Sequence, residues 1–222
     1  MEQRSEEWFA ARVGSLGASK IADALARTKS GWGATRANVM AALIAERLTG
    51  IPHDGYVNSI MLRGIEVEPE ARSAYSFYSN CDVVEVGLVH HPVIANSHAS
   101  PDGLVGDDGL VEIKAPNTST HIEALLGASV PQKYKYQMQW QMACTGRAWC
   151  DFVSFDPRMP EELKIHICRI DRDDALIATL ESEVIEFLTE VDSKLAQLRA
   201  LTSGKTPLTG ALEGSLASMQ VN

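Results

Sequence analysis

Asp102, Glu112 and Lys114 stand close together in the run Ser100-Pro101-Asp102-Gly103-Leu104-Val105-Gly106-Asp107-Asp108-Gly109-Leu110-Val111-Glu112-Ile113-Lys114. Side chains two apart on a strand share a face, so Glu112 and Lys114 point the same way. The turn-forming residues at 106–109 predict a hairpin that folds the second run back onto the first and brings Asp102 to the pair. Two carboxylates and an ammonium then meet at one sheet edge. Hard oxygen ligands of this kind suit Mg²⁺, which takes one or two carboxylates and fills its remaining positions with water and substrate phosphate. The chemistry implied is metal-assisted phosphodiester hydrolysis. A D-x₉-E-x-K match alone also fits a solvated strand edge. Here the acids are set among Leu104, Val105, Leu110, Val111 and Ile113, where unpaired charge is costly. Asp107 and Asp108 fall in the turn, where Asp is favoured for local hydrogen bonding, and are assigned no chemistry.

Other candidates surround this core. Three acids alternate in Arg63-Gly64-Ile65-Glu66-Val67-Glu68-Pro69-Glu70-Ala71-Arg72, and spacing does not choose among Glu66, Glu68 and Glu70. Tyr134 and Gln137 share a helix face, with Gln139 and Gln141 nearby; they form either a polar helix surface or amides that position water or a nucleic-acid end. Arg12, Ser15 and Ser19 flank a Gly-containing break before a helix. They read equally as a phosphate seat or as a capping serine beside an exposed arginine. His90, His91 and His98 read as structural. Trp8, Trp140 and Trp149 read as core, and Trp32, in a Gly-rich loop, as a residue able to touch a base or a partner.

The elements that must hold these residues follow from periodicity. Helices are predicted at 5–12, 20–27, 35–48, 64–79, 119–126, 131–143 and 173–199. Strands are predicted at 83–90, 93–98, 102–105, 110–114, 148–155 and 163–170. Residues 28–33 read as a mobile loop and 203–222 as a loose tail. The order suggests an α/β (α+β) fold with a central mixed β-sheet flanked by helices, in a single domain over residues 1–202.

The bulk properties set limits. A chain of 222 residues, 45% apolar and 22% charged, is that of a soluble globular domain. No apolar run is long enough to span a bilayer, and residues 1–7 lack the apolar stretch of a signal peptide, so the expected location is cytoplasmic. The net charge of −9 counts against nucleic acid only weakly, because an acidic exterior can coexist with a basic groove. Cys81, Cys144, Cys150 and Cys168 contain no C-x-x-C pair; free thiols are the simplest reading and an iron–sulfur cluster the sharper one.

Taken in order, Trp8-x₃-Arg12-x₆-Ser19, Gly64-x₃-Glu68-x₃-Arg72, Ser100-Pro101-Asp102-Gly103, Glu112-Ile113-Lys114-x-Pro116, Tyr134-x₂-Gln137-x-Gln139 and Asp156-Pro157-Arg158-Met159 resemble the lambda-exonuclease-type viral recombinase, or alkaline exonuclease, family. The resemblance runs from about residue 7 to 199. It implies a restriction-endonuclease-like core and a 5′–3′ exonuclease that digests the 5′-ended strand of linear duplex DNA. It further implies a homotrimeric ring, a single-strand annealing partner in recombination, and a phage or prophage source. By the same resemblance Asp102, Glu112, Glu68 and the Ile113 carbonyl bind two Mg²⁺, with Mn²⁺ able to substitute, Lys114 is the catalytic lysine and Gln137 the glutamine beside it. Arg12, Ser19 and Ser100 match a 5′-phosphate pocket, Met61 an apolar wedge, Lys29 a loop residue reaching the duplex, and Tyr134 a DNA contact. The family pattern has another acid ten residues before the aspartate, where this sequence has Pro92.

Three carboxylates and a scissile phosphate carry four negative charges, so the site is expected to approach neutrality only with two divalent ions bound, and the carboxylate pKa values to rise without them. Two other readings keep part of this picture: a structure-specific endonuclease of the same fold, or a non-catalytic DNA-end-binding module.

Overall fold

A computed structural model describes residues 3–53 and 59–202, without the side chains of 59–61 and 202. The Met61 side chain and the tail at 203–222 therefore lie outside the described residues.

The chain runs α1 (Glu6–Arg12), β1 (Leu16–Gly17), a 3₁₀ turn (Ala18–Lys20), α2 (Ile21–Ala24), β2 (Arg27–Thr28), β3 (Gly31–Trp32), α3 (Ala34–Thr49) and α4 (Ser59–Ser79). It continues with β4 (Val83–Val84), β5 (Val89–His90), β6 (Ser97–Ala99), β7 (Gly103–Val105) and β8 (Gly109–Lys114). It ends with α5 (Thr118–Leu125), α6 (Gln132–Thr145), β9 (Trp149–Phe155), β10 (Ile165–Asp171) and α7 (Asp174–Thr202).

The main sheet has the order β10-β9-β8-β7-β4 and is mixed: β8 and β9 are parallel and the other pairs antiparallel. Alternation along β8 decides what each face carries. Val111 and Ile113 pack with Ala71 and Tyr75 of α4 on one face. On the other, Leu110 packs with Met138 and Met142 of α6, which leaves Glu112 and Lys114 facing α6. A third core joins α2, α3, α6 and α7 through Ile21, Leu43, Trp140 and Phe187. Helix α6 is thus enclosed by two cores, and residues 138–144 are all buried. Gly103 is required where β7 meets edge strand β4: a Cβ there would collide with Val83.

Four expectations change. The predicted strand at 83–90 is two short strands in different sheets, because β4 pairs with β7 while β5 pairs with β6. Its apolar alternation reflects burial of the side chains and says nothing of which sheet receives the backbone. The predicted strand at 93–98 is a turn followed by β6, with Asn96 in the left-handed region at φ 57°. The predicted loop at 28–33 contains a β2–β3 hairpin, in which Trp32 lies between the guanidinium groups of Arg27 and Arg36 at 3.9 and 3.8 Å. The predicted helix at 20–27 contracts to a 3₁₀ turn and one turn of α-helix.

Candidate active site

The β7–β8 hairpin delivers the predicted acids to one place. The Asp102 Oδ2 accepts a hydrogen bond from the Ile113 backbone N–H at 2.6 Å, which fixes the aspartate against β8 beside Glu112. Glu112 is 1% exposed, and the protein satisfies it from two directions. Its Oε1 accepts from Lys114 Nζ and, at 2.6 Å, from Gln137 Nε2. Its Oε2 accepts from Gln141 Nε2 at 2.5 Å. Gln137 and Gln141 are one turn apart on α6, so a single helix face clamps the carboxylate. The sequence pointed to Gln137 by resemblance and left Gln141 as a neighbour. What identifies Gln141 is its complete burial beside an anion, which spacing does not disclose. Gln139 faces elsewhere: it receives the Asp173 N–H and donates to the Asp171 carbonyl, tying α6 to the start of α7.

The charges are unevenly compensated. Burial raises the Asp102 pKa to about 8, and the neighbouring Glu112 and Glu68 charges add to it, against the opposing pull of Lys114. At Asp102 the expected rise is present, with desolvation ahead of like charge as its cause. Burial alone would lower the Lys114 pKa, but Glu112 and Asp102 overcome it and hold the ammonium protonated.

Glu68 is the half-buried acid of its helix; Glu66 and Glu70 are exposed. Its Oε1 pairs with Arg72 at 2.6 Å and its Oε2 with Arg4 at 2.5 Å. The site is therefore nearer to neutral without added ions than three carboxylates alone imply. Among the described residues no three His, Cys, Asp or Glu side chains are gathered as a metal would need: Asp102 and Glu112 stand together while Glu68 is held by two arginines. The donor chemistry of Asp102, Glu112 and the intervening Ile113 carbonyl still suits a hard divalent cation, and no Asp102 Oδ1 hydrogen bond occurs among the described residues. Glu68 would join such an ion in competition with its arginine partners.

A second cluster adjoins the first through Ser100-Pro101-Asp102. Ser100 Oγ accepts from Trp8 Nε1 at 3.1 Å and from Arg12 at 3.5 Å, and the Arg12 guanidinium lies 4.0 Å from the Trp8 ring centroid. Gln3 Nε2 donates to the Val86 and Pro101 carbonyls at 2.7 and 2.8 Å, so the segment before α1 is fastened beside Asp102. Arg12 and Ser100 are thus brought together. Ser19 is exposed in the 3₁₀ turn and, among the described residues, bonds to neither. Ser15 instead meets the buried His98 through Nδ1 at 2.8 Å. Lys29 is exposed at the β2–β3 turn. Tyr134 stacks on Phe152 and lies 5.2 Å from Lys114 Nζ. The four cysteines are free thiols; burial pushes Cys144 up to about 12. Pro92 is exposed in the turn before β6.

The mixed sheet flanked by helices is a fold of the alkaline-exonuclease type. The chain belongs to the YqaJ-like viral recombinase family, whose domain model matches residues 7–148. It is 51% identical to the crystal structure of an alkaline exonuclease (LHK-Exo) from Laribacter hongkongensis, covering 90% of this chain and 98% of that one with a TM-score of 0.83. The same protein in complex with dAMP matches with a TM-score of 0.84. A phage-related exonuclease from Haemophilus somnus 129PT shares the fold at 16% identity and a TM-score of 0.68, over 83% of this chain and 96% of that one. ExoD of Escherichia coli (strain K12) is 30% identical over 70 residues, 32% of this chain and 79% of that protein. No helix among the described residues is long and apolar enough to cross a membrane.

Proposed function

We propose that this protein is a Mg²⁺-dependent 5′–3′ exonuclease that digests the 5′-ended strand of linear double-stranded DNA and leaves 3′ single-stranded overhangs for recombination. The observation that carries this reading is the buried Glu112, held by Lys114, Gln137 and Gln141 directly beside Asp102. Such an arrangement is costly for stability alone and suited to receiving cations. The 51% identical alkaline exonuclease and its complex with dAMP support the substrate class.

In this reading Asp102, Glu112 and the Ile113 carbonyl hold Mg²⁺, with Glu68 released from its arginines to complete the set. Bound Mg²⁺ supplies activation of the attacking water and stabilisation of the leaving oxygen. Gln137 and Gln141 keep Glu112 oriented, so that no reorganisation is needed during reaction. Lys114 places its positive charge beside the non-bridging oxygens of the scissile phosphate. Arg12, with Ser100 and Ser19, receives the 5′-terminal phosphate through charge-assisted hydrogen bonds, which sets polarity. Lys29, Met61 and Tyr134 contact the DNA. The remaining assignments rest on family likeness: a homotrimeric ring around the duplex, a single-strand annealing protein as partner, and action in the cytoplasm of a bacterial host under phage or prophage control.

The test is a time course on 5′-phosphorylated linear duplex labelled at each end in turn, with Mg²⁺, with Ca²⁺ and with chelator. Mg²⁺-dependent release of the 5′ label ahead of the 3′ label is expected. Cutting of closed circular DNA would favour a structure-specific endonuclease, and binding of ends without hydrolysis would favour a non-catalytic module.

A further inference from the structure

Beside the Lys114 ammonium lies a partly open cavity of about 150 Å³. Phe152 and Tyr134, stacked at 5.5 Å and 30°, are among its lining residues. Val130 and Pro116 line it further, with His166 from β10. The Tyr134 ring also lies 4.6 Å from Lys133 Nζ, so two ammonium groups flank the same aromatic ring. The volume is roughly half that of the smallest drug-sized pockets, at ~300 Å³. It admits one flat ring system and not an extended ligand. Aromatic and aliphatic walls with hydroxyls of Thr120 and Ser154, one carboxylate (Glu123, exposed on α5) and the Lys114 ammonium suit a nucleobase whose attached phosphate remains outside, on the lysine side.

The sheet order gives the cavity a direction. Strand β8 lies between β7 and β9. Asp102, which immediately precedes β7, and the Ser100–Arg12 cluster lie on one flank of β8. The cavity lies on the other, lined by Phe152 of β9 and His166 of β10. A strand with its 5′-phosphate at Arg12 and its scissile phosphate at Lys114 therefore continues toward the cavity. In the hydrolysis proposed above, a water oxygen bonds to phosphorus and the bond from phosphorus to the 3′-oxygen of the terminal nucleotide breaks. That oxygen leaves carrying a proton, and the phosphate stays on the second nucleotide.

We propose that this cavity seats the base of that second nucleotide, the one that keeps the phosphate and becomes the next 5′ end. The inference rests on the exonuclease reading and deepens it. Holding the base against Tyr134 and Phe152 aligns the scissile phosphate with Lys114 and Glu112, and it applies to any sequence because every base offers a stacking face.

The experiment measures the first cut on 5′-phosphorylated duplexes whose second nucleotide is either a mismatched base or an abasic residue. Both lack pairing, and only one lacks the base. The wild-type protein is expected to cut the abasic substrate at least fivefold more slowly. Two substitutions fill the cavity: Ala128→Trp, at an exposed position before α6, and Ala124→Phe, on α5. Each is expected to slow the mismatched substrate by a similar factor and to lose the discrimination. A wild-type protein indifferent to the missing base would overturn the inference, and that comparison needs no variant. Folded variants that discriminate as well as wild type would overturn it too, by placing the base elsewhere. Absence of all Mg²⁺-dependent hydrolysis is a different result, which would remove the nuclease reading and this inference with it.

Discussion

Two acids of the same sheet region are treated in opposite ways. Asp156, just past the end of β9, is fully enclosed and fully paired: Arg63 and Arg158 reach its carboxylate at 3.0 and 2.8 Å and the Thr118 hydroxyl at 2.7 Å. The Arg158 hydrogen bonds come first among the causes that hold it well below the usual carboxylate range. Asp102, partly exposed, receives one backbone N–H, sits beside the buried Glu112, and is pushed up to about 8. The first arrangement spends every oxygen on structure, fastening α4 and α5 to the sheet. The second leaves negative charge that the protein compensates only in part. Acids in the first setting stabilise a fold; acids in the second are available for cations and chemistry. Both residues belong to short motifs in the sequence, Ser100-Pro101-Asp102-Gly103 and Asp156-Pro157-Arg158-Met159, and the motifs alone do not distinguish the two roles.

The contrast can be broken at its strongest point by exchanging single oxygens for nitrogens. Asp102→Asn and Glu112→Gln are expected to lower Mg²⁺-dependent digestion by at least ~10³-fold with the fold retained, whereas Asp156→Ala should lower Tm by about 5–10 °C while the folded fraction still digests DNA. Thermal unfolding and digestion rates on the same preparations check both halves. Gln141→Leu removes one donor from Glu112 without touching substrate; a loss of ~10–100-fold in activity or divalent affinity is expected. Gln141→Glu would place two carboxylates face to face and lose more. Arg12→Ala is expected to cost about tenfold on 5′-phosphorylated ends and little on 5′-hydroxyl ends, read as the ratio of the two digestion rates.

The smallest effect expected is one of pH. Burial lowers the His98 pKa to about 3, helped by the nearby Arg12 charge. A histidine depressed on folding binds its proton more readily in the unfolded chain. Its contribution to stability is therefore complete above about 6.5 and is lost as pH falls from there toward 3. Urea unfolding of wild type and His98→Gln at pH 7 and pH 5 should show the wild type losing more stability on acidification.

The placement of part of the candidate site is legible in the sequence. The Asp102–Glu112–Lys114 hairpin follows from alternation and turn residues, because both are local. Lys114 and, by resemblance, Gln137 were legible beside Glu112, but the contacts of Gln141 with Glu112 and of Arg4 with Glu68 were not. Gln137 and Gln141 reach Glu112 from α6 across 25 and 29 positions, and Arg4 reaches Glu68 across 64. In Gln132-Lys133-Tyr134-Lys135-Tyr136-Gln137-Met138-Gln139-Trp140-Gln141 the spacing left open a polar helix surface or positioning amides; the C-terminal part is buried, and its amides answer anions and backbone groups of other elements. The break between β4 and β5 was equally hidden, since an apolar alternation does not name the sheet it joins. Ser19 shows the reverse case, in which the motif spacing holds but the side chain is exposed and makes no bond to Arg12 or Ser100 among the described residues.

The most direct test is calorimetric titration of the DNA-free protein with Mn²⁺, on wild type, Asp102→Asn, Glu112→Gln and Asp156→Asn in parallel. The account predicts saturable binding by wild type and by folded Asp156→Asn, and none by the Asp102 and Glu112 variants. Equal binding by all four, or no binding by any, would contradict it.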